Sequence, residues 1–309
     1  MAEERTHADV AVLGCGNMGS TLARRWADAG KSVVVWNRSA ARAEALRGPN
    51  IEVAQSAQAA IETADVAVAV LATYDTVRQV LDSVHKLDGK TFVNLTTGVQ
   101  DEVDSISELC DAKGGSYLDG AIFVYPHQIG RPESTLLYAG PEEVWARHRN
   151  LLQMLGGNTR YISNRLDLVN VLDTGVIGSF YHSAMTAFVE TAAYVLGTGI
   201  SPDTLAQATK PVVDMISESV DEALEAVRSS NYDTDQATMS NIATAMRHFG
   251  DAIERSGYTN RVLKAATSHA NDAEAAGMGS KSYHAMIDLL MRPRPQQGAS
   301  AGHSGGLPQ

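Results

Sequence analysis

The chain has 309 residues, 44% of them hydrophobic, with Lys and Arg numbering 25 and Asp and Glu 36, a formal net charge of −11. At roughly 150 residues per domain this length suits two domains with a sizeable core. The acidic balance speaks against a phosphate backbone as ligand, so nucleic acid is not an expected partner.

The polar opening, Met1 to Asp9, lacks the apolar segment of a secretory signal. Val10 to Leu13 is a short apolar run ending in glycines, the pattern of a buried parallel strand. A helix is expected over Ser20 to Ala29, with Gly30 as its C-terminal cap. Strands follow over Ser32 to Trp36, Val66 to Leu71 and Thr91 to Leu95, with helical stretches over Ala40 to Leu46 and Thr76 to Val84 between them. Strands alternating with helices imply βαβ units and a mostly parallel sheet. Further strands are expected at Ser116 to Leu118, Leu136 to Ala139 and Thr159 to Ile162. After about residue 165 strand signals fade, and Asp167 to Leu196, free of proline, reads as one long helix. At 1.5 Å per residue it would span on the order of 45 Å, enough to leave one domain and enter a second, all-helical one. The expected division is 1–165, 166–291 and a disordered Pro-, Gly- and Ser-rich tail over 292–309. No apolar run reaches the roughly 20 residues of a membrane helix. Cys15 and Cys110 are the only cysteines, which excludes a disulfide framework and suits a cytoplasmic setting. His, Cys and carboxylates show no metal-ligand spacing, so no metal is expected.

Gly14-Cys-Gly16-Asn-Met-Gly19 is GxGxxG, placed where a strand ends and a helix begins. The first glycine permits the tight turn, the second lets a pyrophosphate approach the backbone, and the third lets helix and strand pack closely. The helix N-terminus then faces the phosphates, so Gly14, Cys15, Gly16, Asn17, Met18 and Gly19 are candidate dinucleotide-binding residues. The end of the second strand carries Asn37-Arg38-Ser39, with Arg42 beyond, in place of the Asp or Glu that bonds the ribose of NAD. A carboxylate would repel a 2′-phosphate whereas a guanidinium and a hydroxyl hold it, which favours NADPH. Leu71 and Ala72 after the third strand, and Asn94 and Thr96 after the fourth, fall in loops at the carboxyl ends of the strands, where such sheets bind ligands. Asn94 and Thr96 read equally well as ribose or substrate contacts and as turn formers.

These residues resemble the β-hydroxyacid dehydrogenase (6-phosphogluconate dehydrogenase-like) superfamily, and within it the imine reductases. The resemblance covers about residues 8–290. It is carried by Val12 to Gly19, Val35-Trp-Asn-Arg-Ser39, Val93-Asn-Leu-Thr-Thr-Gly98, and Tyr117-Leu-Asp-Gly-Ala-Ile122 running on to Pro126 and Gly130. It implies an N-terminal Rossmann domain, a doubly wound and mostly parallel sheet, followed by a long interdomain helix and a helical C-terminal domain. It also implies a domain-swapped homodimer with shared active sites, each in a cleft between one subunit's Rossmann domain and the partner's helical domain.

The β-hydroxyacid dehydrogenases use a lysine early in the interdomain helix. Here the lysines are Lys31, Lys86, Lys90, Lys113, Lys210, Lys264 and Lys281, none of them in that helix. The imine reductase branch commonly has Asp or Tyr at that position, and the resemblance matches it to Asp173, about two turns in. A second register, Gly175-Val-Ile-Gly178 followed by His182, would place the group about four turns in. A carboxylate holds a cationic iminium; a carboxylic acid delivers a proton to nitrogen, and burial of a carboxyl group makes that role possible near neutral pH. Tyr181, eight residues on, would stand roughly 80° around an α-helix and 12 Å along it, in reach of the same cleft or packed in the interface. Tyr125 and His127, which follow the Leu-Asp-Gly-Ala segment, are candidate pocket residues. Met215, Met239 and Met246 would suit an adaptable pocket wall or core packing, and His248 and His284 read as plain helix residues.

The resemblance implies an NADPH-dependent imine reductase, delivering hydride to the carbon of a cyclic or preformed imine, with reductive amination within the same family. Two alternatives stand beside it: a β-hydroxyacid dehydrogenase acting on a small keto or semialdehyde acid, and a non-catalytic NADP-binding sensor.

Overall fold

The computed structural model describes residues 7–292; residues 293–309 of the expected tail lie outside the described residues. By its internal contacts the chain divides between Tyr181 and His182 into two compact units. This division falls later than the end of the strand signals, because the helix that begins at Asp167 packs its first turns against the sheet.

The first unit is built on an eight-stranded sheet in the order β3-β2-β1-β4-β5-β6-β7-β8. Its strands are β1 (Val10–Leu13), β2 (Val33–Trp36), β3 (Ile51–Val53), β4 (Val66–Ala69), β5 (Thr91–Asn94), β6 (Ser116–Ile122), β7 (Thr135–Ala139) and β8 (Asn158–Ser163). All neighbours are parallel except β6 and β7, which pair antiparallel with Asp119 opposite Ala139. The alternation of side chains along each strand sorts them onto two faces. Val10, Val12, Val33, Val35, Val66 and Val68 join one core with Leu22 and Trp26 of α1 (Asn17–Asp28) and Trp145 and Leu152 of α6 (Glu142–Leu152). Ala11, Leu13, Ala67, Ala69 and Phe92 join the other, with Ile61 of α3 (Ala57–Thr63), Tyr74, Val77 and Leu81 of α4 (Tyr74–Asp82) and Ile106 of α5 (Gln100–Ala112). Burial on both faces is why these strands read as unbroken apolar runs. The short helix α2 (Ala40–Glu44) follows β2. Gly30, at φ +79°, closes α1 as the sequence indicates. The strand β3 and the helices α3, α5 and α6 were not expected from the sequence.

Helix α7 (Asp167–Leu172) lies against this sheet, and the helical course continues as a π-helix over Asp173–Tyr181. The expected long helix therefore is helical throughout but not α throughout. Gly175 and Gly178 within the π segment contribute no side chain to hold α spacing.

The second unit is helical: α8 (His182–Gly197), α9 (Pro202–Ser229), α10 (Met239–Arg255), α11 (Arg261–Ala273) and α12 (Met286–Leu290). Ser201 caps α9, and the Glu190 carboxylate of α8 accepts from the backbone N–H groups of Arg261 and Val262, satisfying the start of α11. Its core is small: Met239, Ala243, Ala270 and Ala273, with Met246 and Met286 against them. Met239 has no exposed surface and is core, which corrects its reading as a pocket wall. Met215, by contrast, lies on an exposed face of α9 with Val212, Val213 and Ile216. His248 stands exposed on α10 and His284 is half-buried in a short 3-10 turn. Among the described residues no helix is long and apolar enough to cross a membrane.

Trp26 ties the two ends of one layer together. It is fully buried and donates its indole Nε1–H to the Leu151 carbonyl at 2.9 Å. Trp26→Phe keeps most of the ring but removes this bond, leaving the Leu151 carbonyl only the backbone N–H it accepts at the end of α6, so it should lower stability by about 1 kcal/mol. Urea unfolding checks this, and an unchanged midpoint contradicts it.

Candidate active site

The dinucleotide groove begins where β1 meets its turn. Gly14 has φ +111°, and a Cβ there would stand 2.2 Å from the Val70 carbonyl oxygen. A Cβ on Gly19 would stand 2.0 Å from the Gly14 carbonyl oxygen, whereas one on Gly16 would meet nothing within 4 Å. The outer glycines are therefore required by close packing, and the middle one faces open space. Gly16 caps α1 without a side-chain hydrogen bond, which leaves the first N–H groups of the helix available.

The loop is fixed from below. Asn37 Oδ1 accepts from the Cys15 N–H at 3.0 Å while Asn37 Nδ2 donates to the Ser39 carbonyl at 3.0 Å, so the end of β2 is tied to the glycine turn. Cys15 is buried, which pushes its thiol up to about 11 and leaves it an inert packing residue. The resulting groove has a volume of about 780 Å³. Its lining joins Gly14, Gly16, Asn17, Met18 and Gly19 to Asn37, Arg38, Ser39, Arg42, Leu71 and Ala72 and contains no Asp or Glu. Arg38 and Arg42 are exposed, and among the described residues their guanidinium groups make no ion pair or hydrogen bond. These residues fit a dinucleotide with a 2′-phosphate. Thr76 and Gln79 of α4 and Ser83 at its C-terminal cap also line the groove; sequence reasoning missed them because they sit on a helix rather than in a loop.

Asn94 and Thr96 stand elsewhere than expected. Both are buried, at 0% and 2% exposure, and neither lines the groove. Thr96 Oγ1 accepts from the Leu71 N–H at 3.0 Å, and Asn94 Oδ1 accepts from the Thr96 N–H at 3.1 Å. They support the Leu71 loop from behind.

A second cavity of about 240 Å³ adjoins the groove and shares Met18, Val70 and Leu71 with it. Its other lining residues are Leu95, Thr97, Gly120, Ala121, Ile122 and Asp173. Asp173, 9% exposed, is the acidic residue of that lining. His182, the alternative register, is exposed and lies beyond the division of the chain. Asp173 and Tyr181 are the first and last residues of the π segment, so the α-helical offset expected between them does not hold: the i→i+5 spacing makes fewer turns of eight residues. The Tyr181 hydroxyl lies 3.1 Å from that of Tyr125, and the Tyr125 ring stacks with His127 at 6.1 Å. The structure thus brings Tyr181 and the two candidate pocket residues Tyr125 and His127 into one aromatic group, and none of the three lines the cavity.

Behind the cavity lies a buried carboxylate that the sequence reading passed over. Asp119 of β6 is fully buried. Its Oδ1 accepts from Tyr117 OH at 2.6 Å and Tyr74 OH at 2.8 Å, and its Oδ2 from Asn170 Nδ2 at 2.7 Å. Asn94 Nδ2 adds a longer contact of 3.4 Å to Oδ1. Among the described residues no cation pairs with it. Burial pushes its carboxyl up to about 7, against the opposing pull of the donors. The available signal was a charged residue inside an apolar strand.

Residues 9–163 match the model of the NAD binding domain of 6-phosphogluconate dehydrogenase, half of the chain. Residues 168–292 match the NADPH-dependent reductive aminase-like C-terminal domain. The chain belongs to the 6-phosphogluconate dehydrogenase-like superfamily, in its imine reductase and reductive aminase branch. It is 25% identical to an NADPH-dependent reductive aminase of Aspergillus oryzae over 249 residues, 76% of this chain and 83% of that protein. Among solved structures, an imine reductase from Pseudomonas sp. is 29% identical with a TM-score of 0.85, covering 92% of this chain and 100% of the other. An imine reductase from Myxococcus stipitatus in complex with NADP+ is 26% identical with a TM-score of 0.85, covering 91% and 99%.

The state of Asp119 has a consequence for stability. Its folded carboxyl titrates near 7 against 3.8 for the free group. The folded state therefore holds a proton that the unfolded state releases, and stability from this group is lost as pH rises from about 4 to 7. Relative to Asp119→Asn, the native chain should lose on the order of 3–4 kcal/mol across that window and none above it. Thermal unfolding of both proteins from pH 4.5 to 8 checks this; parallel curves contradict it.

Proposed function

We propose that the cavity beside the groove is where this chain reduces C=N bonds, with Asp173 as the group that meets the nitrogen. As a member of its branch the chain is an NADPH-dependent oxidoreductase acting on C=N. The observation that carries the assignment of the cavity is the shared wall: Met18, Val70 and Leu71 belong to both the groove and the cavity that Asp173 enters. A nicotinamide cofactor, when bound, supplies the hydride for the imine carbon.

The chain's own residues do the rest. The glycine turn and the N-terminus of α1 hold the pyrophosphate, and Arg38, Ser39 and Arg42 hold the 2′-phosphate, which selects NADPH over NADH. Leu95, Ala121 and Ile122 make an apolar lining that limits water and suits the hydrocarbon ring of a small cyclic imine. Asp173 as carboxylate holds a cationic iminium in that lining; as carboxylic acid it delivers the proton to nitrogen. Tyr181, hydrogen-bonded to Tyr125, stands at the far end of the same π segment. The missing helix lysine weighs against a β-hydroxyacid dehydrogenase.

We further infer a homodimer with shared active sites, the second unit of each copy completing the site of its partner. The support is the apolar surface that one chain leaves exposed: α8 has no buried residue, and α9 exposes Val212, Val213, Met215, Ile216, Val220 and Leu224. A reducing cytoplasm fits the two free, buried cysteines.

Asp173→Asn should lower kcat with a small cyclic imine such as a methyl-pyrroline by about 10²-fold or more, with NADPH affinity unchanged. NADPH oxidation and cofactor fluorescence titration read the two quantities. Retention of full kcat would remove Asp173 from the mechanism.

A further inference from the structure

The Asp119 cluster draws its partners from four elements that are distant in sequence. Tyr74 comes from the start of α4, Asn94 from the end of β5, Tyr117 from β6 itself and Asn170 from α7. Asn170 is also bonded to Tyr74, its Nδ2 lying 3.1 Å from the phenol oxygen, and it is 2% exposed. Asn170 precedes Asp173 by three residues, so on a helix the two stand about one turn apart on one side. Gly120, the residue after Asp119, lines the cavity. From Asn94 the chain of bonds continues through Thr96 to the Leu71 N–H, and Leu71 lines both the cavity and the groove.

We propose that Asp119 is a positioning residue for the reaction: through Asn170 it fixes the turn of α7 that carries Asp173 into the cavity, and through Asn94 and Thr96 it fixes the Leu71 loop of the cavity wall. The proposal rests on the reading of Asp173 given above.

The chemistry of the cluster supports it. An ionised Asp119 accepts from all four neighbours at once, and every donor is satisfied. A protonated one carries a donor of its own, and one neighbour must turn away. Oδ1 takes Tyr117, Tyr74 and Asn94, while Oδ2 takes Asn170 and a 3.0 Å contact from Tyr74. Oδ2 is the less crowded oxygen, so a proton there faces Asn170 and opposes its Nδ2–H. The groups facing Asp119 do not titrate with it, because burial holds the Tyr74 and Tyr117 phenols far above their usual range. Asp119 is held near 7, so the tie to α7 is loosened by mild acid and complete above neutral pH.

The experiment uses the full-length chain and the variants Asp119→Asn and Asn170→Ala, at opposite ends of the tie. In the native enzyme kcat for a methyl-pyrroline should fall on the acid side with an inflection near 7. Asp119→Asn mimics the protonated state: kcat should drop tenfold or more and this inflection should vanish, with NADPH affinity within threefold. Asn170→Ala should do the same, and the double variant should be no worse than either single one. Hydrogen–deuterium exchange gives a readout free of turnover: amides 168–176 should exchange at least tenfold faster in both variants, with the glycine turn unchanged. Lowered melting temperatures with native kcat, native pH profile and native exchange over 168–176 would overturn the proposal and leave the cluster a packing device. If the native chain reduces no imine, the reading of Asp173 fails by itself, and the exchange arm still decides whether Asp119 and Asn170 hold α7.

Discussion

The contact on which the site depends is the approach of Gly14 to the Val70 carbonyl. β1 lies between β2 and β4 in the sheet, so the turn after β1 and the turn after β4 must pass each other at the carboxyl edge. With no room for a Cβ at residue 14, they close into one wall. That wall is shared by a long groove, whose backbone donors and guanidinium groups suit a dinucleotide, and by a smaller cavity that a carboxyl group enters. A wider separation of the strands would leave two pockets with no common boundary.

Opposite in character is the carboxylate behind that wall. Asp119 is held by phenols and amides alone, with no cation among the described residues. Such a group is costly to bury in its charged form, and the raised pKa expresses that cost. Four neighbours aimed at one carboxylate are also geometrically demanding, and each is carried by an element that borders the site. The same atoms that make the cluster expensive make it a reference point for α7 and for the Leu71 loop.

Much of this was legible in the chain. Strands buried on both faces read as continuous apolar runs, and the glycine spacing at the first strand's end located the groove and its phosphate side. Arg38 and Arg42 could be placed because the residue expected there in an NAD site is acidic. The identity of Asp173 came through family resemblance; its placement in the cavity came from the fold. Other features had no such signal. α5 and α6 are short amphipathic helices whose acidic and basic faces hide apolar positions such as Val103, Ile106 and Cys110, or Val144, Trp145 and Leu152. β3 is three residues long, below the length at which alternation can be counted. The π spacing after Asp173 is a backbone property that residue types suggest only weakly. Asn94 and Thr96 stand in the sequence equally open to ligand contacts and turn formation, because a loop at a strand's end exposes polar groups by default; here the neighbours of Asp119 and the Leu71 amide claim them first.

The central claim is that the cavity adjoining the groove reduces C=N bonds with NADPH. The most direct test follows NADPH oxidation by the native chain with a small cyclic imine, beside NADH with the same imine and NADPH with a β-keto acid. The account predicts turnover of the imine with NADPH, much slower turnover with NADH, and none of the keto acid. Reduction of the keto acid with no reduction of the imine would contradict it, since the chain would then act as a dehydrogenase whose proton donor is some group other than Asp173.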